Sequence, residues 1–241
     1  NEAQKKKVEN MGRFITTMYI NDLTFVNFSD AQAQNIPNIN ILFPYGEYLQ
    51  NEQMMQLAAY VGKKYQYTLK PSAKLGRELM LLSMLPKYQK TAAVEPKTED
   101  AYLENSQIMV ASNRNWFVAA KGGNNAESHN HNDIGNFIIY HNNKPVIIDL
   151  GRDTYTSKSF SNQRFELMNC RSAYHNVPII NGLEQKDGKK YRAEKVNHVF
   201  TEAVSSLALN LEKAYTDGAH VDKWQRTIAL DREYNWVEIT E

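Results

Sequence analysis

Cysteine is almost absent. Cys170 is the single one in 241 residues, so an intrachain disulfide and a cysteine-rich zinc site are both excluded. Long apolar runs are missing too: none approaches the roughly 20 residues a membrane-spanning helix needs. Neither sign of charge dominates, with 28 basic against 27 acidic side chains. That balance removes the basic field on which nucleic-acid binding relies, so neither nucleic acid nor membrane is an expected partner. There is no signal peptide and no initiator Met at Asn1, and Asn235–Glu241 reads as a strand. The sequence is therefore expected to be a piece of a longer protein. What is present is a globular mix, 42% hydrophobic and 23% charged, which argues against disorder and fibrous repeats.

The texture changes once along the chain. In the first part, Val8, Met11, Ile15 and Met18 recur at spacings of three and four, which predicts a helix with one apolar stripe. Asn51 is a candidate N-cap for a second helix through Met54, Leu57, Ala58 and Val61. Ser72 is a candidate cap for a third, running through Leu79, Leu82 and Leu85 and stopped by Pro86. Pro37 and Pro44 break residues 22–50 into less regular structure. Thr91–Asp100 is polar, carries Pro96 and suits a domain edge. Beyond it, short runs alternate with turn signals: 107–111, 116–121, 136–140, 145–150, 196–204, 224–230 and 236–240. Leu207, Leu209 and Leu211 show the period of a half-buried strand. Turn chemistry comes from Asn142-Asn143, Asp187-Gly188 and Asp217-Gly218. The order predicts an α+β chain: a helical segment over 1–92, then an antiparallel β domain over 93–241.

All six histidines lie in the β half. Two of them fall in Lys121-Gly-Gly-Asn-Asn-Ala-Glu-Ser-His-Asn-His-Asn-Asp133. Residues two apart on an extended chain point the same way, so His129 and His131 can share a face. Asp149 ends the run from Pro145, and His175 follows in Ser172-Ala-Tyr-His-Asn-Val-Pro178. Two histidines and an aspartate suit zinc, with a fourth position open. One geometric point resists this. A hairpin turning at Asn142-Asn143 sets Asp149 opposite Asn136 rather than His131, so His131 must sit on a loop that folds back along the sheet.

These same residues carry a resemblance. Lys121-Gly-Gly through His129-Asn-His131-Asn-Asp133, Gly135-Asn-Phe, Val146-Ile-Ile-Asp149 and Ser172-Ala-Tyr-His175-Asn176 resemble the heparinase II/III family of polysaccharide lyases. Phe25-Val-Asn-Phe-Ser-Asp30 is similar, more loosely, to the late toroid of such proteins. The resemblance implies the end of an α/α toroid followed by an antiparallel β-sandwich that is incomplete at its C-terminus. It implies His129 as the catalytic histidine, free of metal and facing the helical side. It implies His131, Asp149 and His175 as ligands of one structural zinc ion. It also implies an acidic polysaccharide or oligosaccharide as partner and a periplasmic or secreted location. The family's toroid Tyr, and its Asn or His, normally lie far upstream of the His-x-His pair, and with about 128 residues before His129 both are expected outside this chain; none of Tyr19, Tyr45 and Tyr48 matches that Tyr. The 241 residues alone are therefore expected to be inactive, with helix faces exposed enough for self-association.

Such a lyase cleaves at C4 of a uronic acid by β-elimination. The carboxylate must be neutralised, the C5 proton removed and the leaving oxygen protonated. Arg152 and Arg171 are candidates for binding the acidic sugar. Glu127 and Asn176 are candidates for orienting imidazoles. Trp116, Trp224 and Trp236 read chiefly as core, Cys170 as a small buried residue. Two other classes remain open: a non-catalytic glycan-binding or structural β-domain, and a cupin-type metalloprotein. For the latter, Gly135 and Asn136 stand where a glutamate is wanted.

Overall fold

A computed structural model describes residues 2–66 and 74–241. It divides into two compact units, one of residues 1–25 and 34–98, the other of residues 26–33 and 99–241. The short stretch Val26–Ala33 thus joins the β unit although helices follow it in sequence.

The helical unit contains α1 (Glu2–Thr17), a small hairpin of β1 (Tyr19–Asn21) and β2 (Thr24–Phe25), then α2 (Ile39–Leu49), α3 (Glu52–Lys64), α4 (Leu75–Ser83) and α5 (Leu85–Lys90). Its core is Tyr19, Ile39, Phe43, Met54, Leu57, Val61 and Leu81 with their neighbours. Asn51 caps α3 as its sequence implies: its side chain accepts from the Met54 N–H at 3.0 Å. The expected stripe on α1 holds in part: Ile15 packs against the core and Met18, just past the helix, is buried, but Met11 is not. Met11 is 73% exposed, while Gly12, Thr16 and Met18 are buried. A Cβ on Gly12 would lie 2.6 Å from the Leu49 side chain, so α1 packs through its glycine rather than through Met11. Pro44 breaks nothing; it lies inside α2. Ser72 falls outside the described residues. Pro86 occupies the first turn of α5, where a missing N–H costs little.

Every strand pairing is antiparallel. One sheet of the β unit has five strands: β3 (Ala101–Leu103), β4 (Ile108–Ser112), β5 (Trp116–Lys121), β7 (Phe137–His141) and β8 (Lys144–Ile147), adjacent in that order. A second sheet has β10 (Glu194–Phe200), β11 (Val204–Asn210), β12 (Gln225–Asp231) and β13 (Trp236–Thr240). Between β5 and β7 lies β6 (Asn124–Asn125), which pairs with β9 (Gly188–Arg192). So Gly188 opens a strand rather than a turn.

Alternation explains the sandwich. Leu207 and Leu209 on β11, and Ile228 and Leu230 on β12, point into the same core as Met109, Val118, Ala120 and Ile139 from the five-stranded sheet. Each of these larger side chains, Ala120 excepted, contributes about 1.5–3 kcal/mol when fully buried. Trp116 and Trp224 pack against this core, whereas Trp236 is 48% exposed. The turn joining β7 to β8 has Asn142 and Asn143 at φ 48° and 63°, the left-handed pair a two-residue hairpin demands. Pro145 lies on β8, an edge strand.

Candidate functional site

The loop from Gly122 to Asn136 leaves β5 and returns to β7. Its base is clasped by a buried ion pair, Lys121 Nζ to Asp133 Oδ1 at 2.7 Å. Glu127 accepts the Asn124 N–H at 3.1 Å, so it shapes the loop and orients no imidazole. The loop does fold back, and it delivers His131 to the end of β8. His131, Asp149 and His175 are all buried, and one ligand atom from each lies within 4.8 Å of the others. They form the one such cluster among the described residues.

Each member is held by groups around it. His175 Nδ1 is 2.7 Å from Asp149 Oδ2, and its Nε2 is 2.9 Å from the Asn169 carbonyl oxygen. Asp149 also accepts from the Gly151 N–H at 2.7 Å and from the Asn136 amide. The Asn136–Asp149 contact is the juxtaposition the hairpin register predicts. Asn176 donates to Asn136 at 3.1 Å, so it steadies the residue that holds Asp149 rather than an imidazole. Burial opposes charge on Asp149, but His175, the Gly151 N–H and Asn136 hold its carboxyl below the usual range. Burial likewise opposes the His175 cation, yet Asp149 and Asp133 carry its pKa upward. For His131, burial dominates and pushes the pKa down.

Sequence reasoning missed Asp30. Its side chain is 6% exposed, and it lies on the Val26–Ala33 stretch. Oδ1 is 3.1 Å from His131 Nε2, and Oδ2 is 3.0 Å from His129 Nδ1. Tyr155 Oη and Arg164 Nη2 donate to Oδ2 at 3.0 and 2.8 Å. Burial disfavours this anion, but those four partners keep its carboxyl below the ordinary range. The stretch is anchored to the Asp149 loop: Asn27 donates to the Asp149 carbonyl at 3.0 Å, and the Arg152 N–H donates to the Ala31 carbonyl at 2.9 Å. Gly151, at φ 63°, permits this approach; a Cβ there would meet the Ala31 oxygen at 2.5 Å. The sole hint in the sequence was the loose likeness around Phe25–Asp30, which names no role for the carboxylate.

His129 shares the Asp30 carboxylate with His131 but not its burial. It is 61% exposed, takes φ 60° and stands outside the buried cluster. Tyr155, also unforeseen, has its hydroxyl 3.4 Å from His129 Nδ1. Arg152 is exposed, its guanidinium 5.5 Å from the Tyr155 ring centre. Arg171 is paired elsewhere, through two hydrogen bonds from Nε to the Glu184 carboxylate at 3.2 and 3.3 Å and a third from Nη2. Cys170 is buried, and burial pushes its thiol pKa up, so it offers no nucleophile. Of the candidate tyrosines, Tyr19 donates to Glu95, Tyr45 donates to the Val8 carbonyl, and Tyr48 is exposed.

The buried cluster fits a divalent metal. Two imidazoles and a carboxylate are a suitable zinc donor set. His131 Nδ1 is buried and has no hydrogen-bond partner, a cost that a bound cation would remove.

No curated protein sequence matches the chain. Solved structures do. The heparan sulfate lyase HepC from Pedobacter heparinus is similar with a TM-score of 0.60 at 14% identity, over 97% of this chain and 32% of that one. A heparinase III matches with a TM-score of 0.56 at 15% identity, over 96% of this chain and 33% of that one. A further heparinase III gene product gives 0.57 at 16% identity, over 96% and 31%. The chain thus spans about a third of the length of these structures, and at such identities the likeness speaks for the fold. The sequence profile of the family Heparinase II/III-like, C-terminal, matches residues 95–241, more than half of the chain, and the chain belongs to that family.

Proposed function

We propose that this chain is part of a polysaccharide lyase that cleaves a uronic-acid-containing acidic polysaccharide by β-elimination, with His129 as its proton-transfer residue. The observation that carries the reading is the contrast within the His-x-His pair. One imidazole is sealed beside an aspartate and a third histidine, and the other is presented to solvent and tied at one nitrogen. In such a reaction the C5–H bond breaks as C4=C5 forms, and the C4–O bond yields an oxygen that takes a proton. His129 would take the C5 proton or supply the one that the leaving oxygen needs, and the Tyr155 hydroxyl lies beside it. Arg152 is exposed next to them and supplies a cation for the sugar carboxylate.

His131, Asp149 and His175 would hold one zinc ion. Its charge would tie the loop carrying the His-x-His pair to the segments around Asp149 and His175. No water need be activated in an elimination, so a structural role suffices. A polysaccharide substrate favours a periplasmic or secreted location. Among the described residues, no helix is long and apolar enough to cross a membrane. The 241 residues alone are proposed to be inactive, because none of Tyr19, Tyr45 and Tyr48 matches the family's cleft tyrosine. Exposed Met11, Phe14, Leu75 and Leu79 make self-association a further proposal.

The test uses the complete parent protein with heparan sulfate, chondroitin sulfate, hyaluronan and alginate. The wild type is expected to give the ultraviolet absorbance of an unsaturated uronate on one of them, and His129→Ala is expected to abolish it. Retained activity in that variant removes His129 from the mechanism. Binding without turnover of any of the four favours the glycan-binding alternative.

A further inference from the structure

We propose that Asp30 sets the tautomer of both histidines in the His-x-His pair, so that His131 offers Nδ1 to a metal and His129 offers Nε2 to substrate. The inference rests on the metal and proton-transfer reading above and adds to it a positioning residue from a distant part of the sequence.

The argument is one of donors and acceptors. An ionised carboxylate only accepts, and a neutral imidazole carries a single N–H. Asp30 Oδ1 lies 3.1 Å from His131 Nε2. A bare nitrogen there would set lone pair against lone pair beside a buried anion, so the hydrogen belongs on Nε2. The Asn169 amide nitrogen also approaches Nε2, but at 3.4 Å, and it donates to the Gly151 carbonyl as well. The closer, charged partner decides. Nδ1 of His131 is then left bare, and it is the atom that is buried without a hydrogen-bond partner.

His175 differs: both of its nitrogens face acceptors, so the same rule gives each a hydrogen in the metal-free chain, and Nδ1 would have to lose its hydrogen to bind a metal. Its Nε2 faces an acceptor, the Asn169 carbonyl at 2.9 Å, and its Nδ1 faces Asp149. Both buried imidazoles thus give Nε2–H to an oxygen; at His175 Nδ1 faces Asp149, and at His131 Nδ1 is the atom left without a partner. Metal-bound histidines are commonly oriented by such a second hydrogen bond. On the other side of the carboxylate, Oδ2 is 3.0 Å from His129 Nδ1. That assigns the hydrogen to Nδ1 and leaves Nε2 of the exposed ring with a free lone pair. One carboxylate thereby gives adjacent histidines opposite tautomers, which suits one to the interior and the other to solvent.

The experiment is long-range proton–nitrogen NMR on the protein labelled with nitrogen-15 in its histidines, before and after addition of zinc. Wild type, Asp30→Asn and Asp149→Ala are compared, with zinc affinity measured by competition against a chromophoric chelator. Expected in the metal-free wild type are His131 as the Nε2–H tautomer and His129 as the Nδ1–H tautomer, with zinc shifting His131 Nδ1. Asp30→Asn is expected to mix both tautomers and weaken zinc binding by about 10–100-fold. Asp149→Ala is expected to lose zinc yet keep both tautomers. The inference is overturned if His131 carries its hydrogen on Nδ1, if zinc is taken through Nε2 with Asp30 as a ligand, or if Asp30→Asn leaves both tautomers unchanged. Should that variant fail to fold, the wild-type spectrum alone decides. A wild type that binds no zinc while showing both tautomers sinks the metal reading and leaves the orienting role of Asp30 standing.

Discussion

The β unit is held together in two different ways. Between its sheets lie Leu207, Leu209, Ile228, Met109 and Val118, a core without directional demands. Around the histidines lie Asp30, Asn130, Asp133, Asn136, Asn169 and Gln185, equally buried but polar. Apolar packing tolerates small rearrangements, because its energy scales with area. The polar layer has no such tolerance, since each buried donor or acceptor that loses its partner costs about 1–3 kcal/mol. The sandwich therefore fixes where the loops begin and end, and completeness of hydrogen bonding fixes where each imidazole points.

The sharpest way to break this comparison is to damage each layer once. Lys121→Met removes one partner of the buried pair with Asp133 and leaves a charge without compensation. A loss of about 3–5 kcal/mol is expected in denaturant unfolding. Leu207→Ala in the core is expected to cost about 2–5 kcal/mol. The two should differ in the folded state. Lys121→Met should move the nitrogen resonances of His129 and His131, and Leu207→Ala should leave them in place. Equal disturbance of the histidines by both variants would show that the layers are not separately held.

The same contrast governs what the sequence disclosed. Period-two alternation marks β11 and β12, and paired asparagines mark the turn after β7, because these signals are local. The His-x-His pair, Asp149 and His175 were legible as metal-binding types, and their family resemblance grouped them. Asp30 was not legible as a partner, because it stands 99 and 101 residues before the histidines it meets. No periodicity records such a pairing. Tyr155 and Arg164 were hidden for the same reason. On α1 the departure is of another kind and concerns Met11: Ile15 and Met18 of the apolar stripe do pack inward, yet beside them close approach selects Gly12 rather than Met11. Pro44 stays inside α2 because its helix is held by the burial of Ile39, Leu42 and Phe43, a tertiary contribution that the local signal of a proline does not contain.

A smaller effect is expected where the layers meet. Tyr215 is 4% exposed in the sandwich core, and its hydroxyl donates to the Pro178 carbonyl, just beyond the His175 segment. Burial pushes its pKa up to about 12, from an ordinary value of 10.0. The folded state thus holds this proton more tightly than the unfolded chain. The stabilisation is complete below about pH 10 and is lost as pH rises through about 12, by roughly 3 kcal/mol at most. Tyr215→Phe is expected to flatten the stability profile across that alkaline window. A profile just as steep in the variant would assign the titration to another group.

The smallest effects are expected at the exposed rim of the polar layer, where two arginines were equal candidates for binding an acidic sugar. The structure separates them. Arg171 is neutralised by Glu184, which also accepts the Ala173 N–H at 3.3 Å, so its guanidinium is committed to the fold. Arg152 makes no ion pair among the described residues and stacks on Tyr155, next to His129. Removing the partly exposed Arg171 pair should cost about 0–1 kcal/mol of stability. In the complete parent protein, Arg152→Ala is expected to raise KM roughly fivefold with kcat nearly unchanged, since a rim cation binds substrate and transition state alike. Arg171→Ala is expected to leave both constants near wild type. A larger rise in KM from Arg171→Ala than from Arg152→Ala would mean that the Glu184 pair opens for substrate, and the polar layer would then be less committed to structure than its hydrogen bonds imply.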